Sequence, residues 1–188
     1  MSINFKNIKV VCFDLDGVLT DGIYQVNSKG VTTKSFYTRD FSALEQLLKN
    51  DIKVVIISQS SDNCILRRIN NIREKSRSSI WKKCFDEKSL ILFQGIDDKC
   101  RDIGFLVLSS LGCFGEKFSW DNVAYMGDAE NDIECMEKAH YTGCPSDAIE
   151  EAKENSNYVS NYPGGKGCVY EFILHILKER ETNGNTRT

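Results

Sequence analysis

Apolar residues along this chain gather into five short runs, and most segments between them repeat apolar positions every three or four residues. The first run, residues 8–13, is nearly continuous, which is typical of a central parallel strand covered on both faces. Shorter runs occupy residues 53–57, 90–93, 123–126 and 141–143. Because these predicted strands alternate with helical segments, the pattern indicates a parallel sheet with right-handed crossovers.

Helical spacing is clearest in three segments, and residues 132–138 are expected to form a further short helix. The predicted fold class is therefore α/β, a Rossmann-like open parallel sheet with helices on both faces. The apolar positions of the three amphipathic helices are Phe41, Leu44, Leu47 and Leu48, then Cys100, Ile103, Val107 and Leu111, and finally Val169, Phe172, Ile173, Ile176 and Leu177.

Three segments depart from this alternation. Two β-prone runs around a polar turn that ends at Gly30 predict a protruding β-hairpin over about residues 23–37. Residues 73–88 are charged and poorly periodic, so we expect a surface insertion there. Residues 181–188 read as a polar tail. A single domain over about residues 1–180 is expected, since a chain of 188 residues suits one core.

Composition narrows the class of protein only modestly. Hydrophobic residues make up 41% of the chain and charged residues 27%, which is ordinary for a globular protein. A net charge of -3 gives no indication of nucleic-acid or membrane-surface binding. No apolar stretch approaches the ~20 residues of a transmembrane helix. The first six residues lack the apolar core of a secretion signal, so we expect a cytoplasmic protein.

The eight cysteines are scattered, without a Cys-x-x-Cys pair and without nearby histidines. Neither a disulfide framework nor a metal cluster is indicated by that arrangement. Cys12 lies in an apolar strand and Cys100 on the apolar face of a predicted helix, where a free cysteine behaves as a small hydrophobic residue. We therefore expect reduced thiols, with an unrecognised site as the alternative.

Two carboxylates follow the first apolar run. Asp14 and Asp16 stand two residues apart, so both side chains point the same way in an extended chain. Gly17 then permits a tight turn away from the strand. Clustered carboxylates repel each other unless a cation lies between them or one is protonated. Mg²⁺, which prefers carboxylate oxygens and water, would relieve the repulsion and attract a phosphate.

Four further residues complete a set placed at strand ends, where open α/β sheets bind ligands. Asp128 can supply another carboxylate ligand, and Asp132 can orient it or a bound water. Ser58 can hydrogen-bond a phosphoryl oxygen, and Lys99 can neutralise developing charge. Each feature alone is weak, because acidic turns, helix caps and solvated lysines are common. Their order and shared placement strongly favour phosphoryl-transfer chemistry.

With these motifs the chain resembles the haloacid dehalogenase superfamily of phosphatases. More closely, it is similar to the capless sugar-acid phosphatases that act on 3-deoxy-D-manno-octulosonate 8-phosphate or on nine-carbon ulosonate 9-phosphates. It is also similar to the phosphatase-like domain appended to acylneuraminate cytidylyltransferases. The matching stretches span about residues 8–175 and comprise residues 13–22, the hairpin through Arg39 and Asp40, residues 93–95 with Asp98 and Lys99, residues 123–128 and residues 164–167.

The resemblance implies hydrolysis through an aspartyl-phosphate intermediate. It assigns Asp14 as the nucleophile and Asp16 as the general acid and base, with Ser58 and Lys99 holding the phosphoryl group. The implied substrate is a small phosphorylated sugar acid. The eight-carbon 8-phosphate and the nine-carbon 9-phosphate are close alternatives, with a slight preference for the nine-carbon class.

The resemblance also implies a cofactor and an assembly. Mg²⁺ would be bound by Asp14, Asp128 and the backbone carbonyl of Asp16, with Asp132 supporting the site. A homotetramer is implied, in which hairpins form a central barrel and subunits help to close one another's active sites. Some members of the superfamily insert a cap domain after the first motif or between the second and third motifs. Here these positions hold only the hairpin and residues 73–88, so we expect no cap domain.

The substrate-binding positions depart from the family pattern. After Ser58 the relatives usually carry Gly-Arg or Gly-Glu, whereas this chain has Gln59 and Ser60 and so lacks the usual charge. Lys166 replaces an arginine, which keeps the charge but loses bidentate recognition of a carboxylate. Gln59, Arg39 and Lys166 are the candidate substrate-binding residues. The predicted chemistry is intact while the specificity pocket is altered.

Two other functions compete with the phosphatase hypothesis. A weakly active or non-catalytic oligomerisation module, related to the cytidylyltransferase-appended domain, is the main alternative, although both Asp14 and Asp16 are present. A receiver-type phosphoacceptor domain has similar residue types. In a receiver domain the acidic pair normally follows the first strand and the phosphoacceptor aspartate follows a later one. Here a second acidic pair, Asp128 and Asp132, lies late in the chain, and this order argues against a receiver domain.

Overall fold

The predicted strands lie side by side in one parallel sheet. The computed structural model describes residues 3–84, 86–108 and 119–182. Six strands pair in parallel in the order β5-β4-β1-β6-β7-β8, and a separate antiparallel pair, β2 and β3, forms the predicted hairpin. The strands are β1 (Val10–Asp14), β2 (Gln25–Val26), β3 (Thr32–Thr33), β4 (Lys53–Ile57), β5 (Leu90–Phe93), β6 (Val123–Met126), β7 (Tyr141–Cys144) and β8 (Tyr158–Val159).

Helices cover both faces of this sheet, as the predicted Rossmann-like α/β class requires. One face is covered by the first three helices and the last, and the opposite face by the three between them. Short 3₁₀ turns cover Phe5–Asn7, Trp120–Asn122 and Glu130–Asp132. The helices are α1 (Thr38–Lys49), α2 (Cys64–Lys75), α3 (Ser79–Lys83), α4 (Lys99–Leu108), α5 (Ile133–Lys138), α6 (Glu150–Glu154) and α7 (Cys168–Thr182).

The central strand β1 shows why the apolar run is continuous. Val11 and Phe13 belong to the core on one side of the sheet, while Val10 and Cys12 belong to the core on the other. All four side chains are fully buried, since successive residues of a strand point to opposite faces. Since β1 pairs with β4 on one side and β6 on the other, its carboxyl end lies between two neighbouring strands.

The apolar run at residues 90–93 predicts a buried strand, but β5 is only partly buried. It lies at one edge of the sheet and pairs only with β4 among the described strands. Leu90 is buried, but the following three residues are only half-buried. The apolar run reflects packing on both sides of an edge strand rather than full enclosure.

Residues 73–88 need a correction, because the expectation of a surface insertion fits only part of the segment. The helix α2 continues through Lys75, and α3 begins at Ser79. Trp81 is 2% exposed and Cys84 is fully buried, both within the larger core cluster. Charged residues on the outer side of these short helices mask the core contacts in the sequence.

The remaining expectations concern the tail, the thiols and the membrane. The helix α7 runs to Thr182, so the polar tail does not begin at residue 181, and residues 183–188 lie outside the described part. The seven described cysteines form no disulfide with one another, and Cys113 lies outside the described ranges. Among the helices described, none combines the length and apolar character needed to cross a bilayer.

Candidate active site

The carboxyl ends of β4, β1 and β6 meet at one edge of the sheet and carry the predicted site. Asp14 is the last residue of β1, Ser58 follows β4, and Gly127 and Asp128 follow β6. The order β4-β1-β6 places the loop after β1 between the other two loops. Crevices outside strand carboxyl ends are the usual ligand sites of open α/β sheets.

A buried lysine joins two of the predicted aspartates. Lys99 begins α4, and its side chain is 1% exposed. Its Nζ lies 2.7 Å from Asp14 Oδ1 and 2.7 Å from Asp132 Oδ1, and it also donates to Asn131 Oδ1 at 3.3 Å. An ammonium taken out of water in this way requires paired carboxylates to offset its desolvation. The contacts hold the cation beside the carboxyl end of β1.

Asp132 has both carboxylate oxygens committed to protein donors. Its Oδ1 accepts from Tyr125 Oη at 2.6 Å as well as from Lys99. Its Oδ2 accepts the backbone N–H groups of Asp128 and Ala129 at 2.9 and 3.2 Å. Asp132 therefore fixes the loop that carries Asp128 instead of presenting a free oxygen.

Asp128 is the opposite case. Its Oδ1 is buried and has no hydrogen-bond partner among the described residues. Burial, together with the negative charges of Asp14 and Asp132, raises the pKa of the Asp128 carboxyl above its ordinary range. Gly17 makes the close approach possible, because a Cβ there would lie 2.1 Å from Asp128 Oδ2 and its φ is 99°.

Asp14 meets the same electrostatic conditions. Burial and the charge of Asp132 raise the pKa of its carboxyl, and Lys99 opposes the shift. One oxygen from each of Asp14, Asp128 and Asp132 can be chosen so that all three lie within 4.8 Å. Clustered carboxylates with one orphaned oxygen fit a divalent cation. Since Asp132 is fully hydrogen-bonded, the free ligand atoms belong to Asp14 and Asp128.

The other predicted catalytic residues line the same cleft. It has a volume of about 390 Å³ and is bordered by Asp14, Asp16, Ser58, Gln59 and Lys99, with further residues around its rim. Ser58 is 2% exposed, and its Oγ accepts the backbone N–H of Ser60 at 2.9 Å. The cleft thus brings together two strand-end carboxylates, a hydroxyl and an ammonium.

Asp16 faces the hairpin rather than the carboxylate cluster. Its Oδ1 accepts from Thr20 Oγ1 at 3.0 Å. Its Oδ2 accepts from Lys34 Nζ at 2.7 Å and from Tyr24 Oη at 3.2 Å. The side chains of Asp14 and Asp16 share the cleft but not their partners. Both side chains border the same cleft, as expected from their spacing, but only the Asp14 carboxylate belongs to the cluster that could bind a cation.

Lys34, Tyr24 and Asp62 are site residues that sequence reasoning missed. Lys34 is buried between Asp16 and Asp62, at 2.7 and 2.5 Å. Although burial opposes it, hydrogen bonds to these carboxylates raise the pKa of Lys34, and Lys34 and Ser60 lower that of Asp62 despite its burial. The only sequence signal was a lone lysine in a hairpin, which reads as a solvated charge.

Arg39 and Lys166 lie in a different place. Both border a second cavity of about 200 Å³, together with Tyr37, Tyr162 and Tyr170. Lys166 Nζ also lies 3.8 Å from Asp21 Oδ2. Of the three predicted substrate-binding residues, Arg39 and Lys166 therefore share the second cavity, whereas Gln59 borders the cleft of Asp14.

Comparison with known proteins shows what this chain is similar to. The profile of haloacid dehalogenase-like hydrolases matches residues 116–173. The 3-deoxy-D-manno-octulosonate 8-phosphate phosphatase of Haemophilus influenzae is 28% identical over 178 residues, which is 95% of this chain and 87% of that protein. A crystal structure of the Moraxella catarrhalis phosphatase of the same name, in complex with magnesium, phosphate and KDO, matches with a TM-score of 0.79 and 28% identity. It covers 95% of this chain and 91% of that one.

A second group of relatives is longer. The N-acylneuraminate cytidylyltransferase A of Danio rerio is 26% identical over 170 residues, 90% of this chain. The chain spans only 35% of that protein's length. The phosphatases, in contrast, match over nearly their whole length and fold alike. The chain is therefore similar in sequence and fold to the haloacid dehalogenase-like hydrolases, and in particular to the 3-deoxy-D-manno-octulosonate 8-phosphate phosphatases.

Proposed function

We propose that this chain is a magnesium-dependent phosphatase that hydrolyses a small sugar-acid phosphate through an aspartyl-phosphate on Asp14. The observation that carries the proposal is the buried Lys99 ammonium, 2.7 Å from Asp14 and from Asp132, beside the orphaned oxygen of Asp128. Such a site concentrates positive charge and metal ligands where a phosphoryl group would be transferred.

The residues divide the reaction between them. A carboxylate oxygen of Asp14 attacks phosphorus, and the ester bond to the leaving oxygen breaks. Asp16 gives a proton to that oxygen and later takes one from the water that hydrolyses the aspartyl-phosphate. Lys99 holds Asp14 in place and offsets charge on the transferred group, and Ser58 donates to one of its oxygens.

The proposed metal ligands combine the carboxylate cluster with the backbone carbonyl that the family resemblance adds. Asp14 and Asp128 offer carboxylate oxygens and Asp16 its backbone carbonyl, while Asp132 orients the loop of Asp128. Bound there, Mg²⁺ would neutralise the clustered carboxylates and polarise the phosphoryl group. The magnesium and phosphate bound in the Moraxella catarrhalis phosphatase support this choice of ion.

The substrate class rests on the relatives and on the rim of the cleft. The KDO molecule bound in the Moraxella catarrhalis structure supports a ulosonate 8-phosphate, and a nine-carbon ulosonate 9-phosphate fits the same chemistry. Gln59 and Ser60 give the rim hydrogen-bonding groups without charge, which suits the hydroxyl groups of a sugar chain. Arg39 and Lys166 border the second cavity instead of the cleft of Asp14, so we propose that they bind a substrate carboxylate in the cleft of a neighbouring subunit.

Phosphate release from both ulosonate phosphates and from p-nitrophenyl phosphate, with and without Mg²⁺, tests the proposal. Asp14→Asn keeps the shape of the side chain but weakens the nucleophile, so we expect at least a 10³-fold loss of kcat. The matched control is Asp86→Asn at an exposed site, which should keep full activity. Undiminished turnover by Asp14→Asn would refute the mechanism. A stable oligomer without turnover on any substrate would favour a non-catalytic oligomerisation module.

A further inference from the structure

The hairpin places a buried cation against two residues of the active-site cleft, Asp16 and Ser60. Lys34 directly follows β3, and its side chain is fully buried. Its Nζ lies 2.7 Å from Asp16 Oδ2, 2.5 Å from Asp62 Oδ2 and 3.5 Å from Ser60 Oγ. The ring centroid of Tyr24 lies 4.4 Å from the same nitrogen. A lysine with these contacts is not a solvated surface charge.

Asp62 holds this lysine from the far side. It precedes α2, and its Oδ1 accepts the backbone N–H of Cys64 at 2.8 Å. Its Oδ2 accepts from Ser60 Oγ at 2.6 Å, and the Gln94 amide donates to its backbone carbonyl. These bonds tie Asp62 to the loops after β4 and β5. Lys34 is therefore held by the loop after β4 as well as by an aromatic residue of its own hairpin.

Three donors in turn fix the carboxylate of Asp16. Thr20 binds Oδ1, whereas Lys34 and Tyr24 bind Oδ2. Two of the three donors come from the hairpin segment, outside the loop that carries Asp16. Because the Asp16 side chain is still 21% exposed and borders the cleft, its direction decides where it can exchange a proton.

We propose that Lys34 is a positioning residue for Asp16 and that Asp62 keeps Lys34 in place. The inference rests on the proposed function, in which Asp16 protonates the leaving oxygen. General acid assistance is worth about 10²–10⁴-fold and depends on heavy-atom geometry. A sugar alkoxide needs that proton when it leaves, whereas p-nitrophenolate, a much weaker base, does not. Loss of positioning should therefore slow sugar phosphate esters selectively.

The test compares two esters in the full-length protein. Lys34→Met should lower kcat about 10- to 100-fold for whichever ulosonate phosphate the wild type hydrolyses faster, and less than threefold for p-nitrophenyl phosphate. KM should change little. The measured quantity is the ratio of kcat on the ulosonate phosphate to kcat on p-nitrophenyl phosphate, and Lys34→Arg should restore part of the decrease in this ratio. The matched control is Lys49→Met, which removes an exposed lysine that pairs with Glu45 at 2.7 Å and should leave both rates unchanged.

Equal losses on both esters would show that Lys34 is only a structural anchor and would overturn the inference. Should Lys34→Met fail to fold, Asp62→Asn carries the same test. Weakening that anchor should shift the ratio in the same direction by a smaller factor, and an unchanged ratio overturns the proposal. Asp16→Asn separates the two levels. If Asp16→Asn does not lower the ratio, the proposed role of Asp16 is wrong. If Asp16→Asn lowers the ratio but Lys34→Met does not, only the positioning role of Lys34 is refuted.

Discussion

Asp128 and Asp132 stand four residues apart, yet their carboxylates meet opposite surroundings. Asp132 accepts four hydrogen bonds, from two side chains and two backbone N–H groups. Asp128 keeps a buried oxygen that no donor reaches within the described ranges. A satisfied carboxylate stabilises the fold, while an orphaned one costs free energy until a cation binds it. The site thus separates the residue that holds the loop from the residue available for a metal ion.

Asp40 is a second buried carboxylate, placed away from the cleft. It lies in the first turn of α1 and is fully buried. Its Oδ1 accepts the backbone N–H of Tyr170, near the start of α7, at 2.8 Å, and Oδ2 lacks a partner in the part of the chain that the structure describes. Burial raises the pKa of Asp40 to about 7, and the bond from Tyr170 only partly opposes it.

Replacing Asp40 should change how stability depends on pH. Because the folded state favours the neutral acid, it binds more protons than the unfolded state between pH 3.8 and about 7. The free energy of unfolding therefore falls as pH rises through that window, by at most about 1.4 kcal/mol per pH unit for one group. Asp40→Asn keeps an acceptor for Tyr170 and should show a shallower fall in urea denaturation. Identical slopes in the two proteins would contradict the assignment, since all other titrating groups are shared.

At the residue scale, strand ends were predictable and cross-loop partners were not. Asp14, Ser58 and Asp128 could be placed because each follows an apolar run, and parallel strands end at one edge. The contact of Lys34 with Asp16 spans 18 positions and depends on how the hairpin folds back over the cleft. The local pattern of apolar and polar residues does not predict which way the hairpin folds, so the role of Lys34 was missed.

Among the elements, α3 shows how a charged sequence can hide a core contact. Trp81 Nε1 donates to Glu45 Oε2 at 3.0 Å, which ties α3 to α1. Two lysines follow Trp81, and both are exposed. A helix of five residues is too short for its period to stand out, so one buried residue per turn looks like irregular sequence.

Trp81→Ala should therefore destabilise the fold by about 3–5 kcal/mol, because it removes a buried aromatic side chain and leaves a cavity. The adjacent control, Lys82→Ala, lies at an exposed position and should stay within about 0.5 kcal/mol of wild type. Chemical denaturation followed by fluorescence of the remaining tryptophan or by circular dichroism measures both. A loss below about 1 kcal/mol would mean that residues 73–88 pack as the loose insertion the sequence suggested.

The sheet itself was more predictable than its margins. Five of the six parallel strands were predicted from apolar runs, since central strands are buried on both faces. The sixth, β8, has two residues, one half-buried and one exposed, and it forms only through pairing with β7. Short edge elements depend on tertiary contacts and leave little trace in local sequence.

At the scale of the whole molecule, the hairpin leaves several large apolar side chains exposed to solvent in the single chain. Its exposed large apolar side chains include Ile23 at 60%, Val26 at 62% and Val31 at 52%. The two strands contain only two residues each, and a two-stranded ribbon is marginal in isolation. An exposed apolar ribbon of this kind suits association with further copies.

We propose that the hairpins of four chains pack together, as the family resemblance implies. This arrangement would bury the apolar side chains and steady the segment that carries Lys34. It would also offer a place for the second cavity, with Arg39 and Lys166, against a neighbouring subunit. Closure of the cleft by a neighbour would make substrate affinity depend on assembly.

Sedimentation of a hairpin variant tests this assembly. The triple substitution Ile23→Ser, Val26→Thr and Val31→Thr removes exposed apolar area but no contact of Lys34, so we expect this variant to be monomeric and the wild type to be tetrameric. Its Tm measured on the monomer should change little, while KM for the ulosonate phosphate should rise at least fivefold. Val159→Thr, an exposed apolar position on β8, is the control and should stay tetrameric. A wild-type chain that sediments as a monomer at micromolar concentration, or a triple variant that stays tetrameric, would contradict hairpin-mediated assembly.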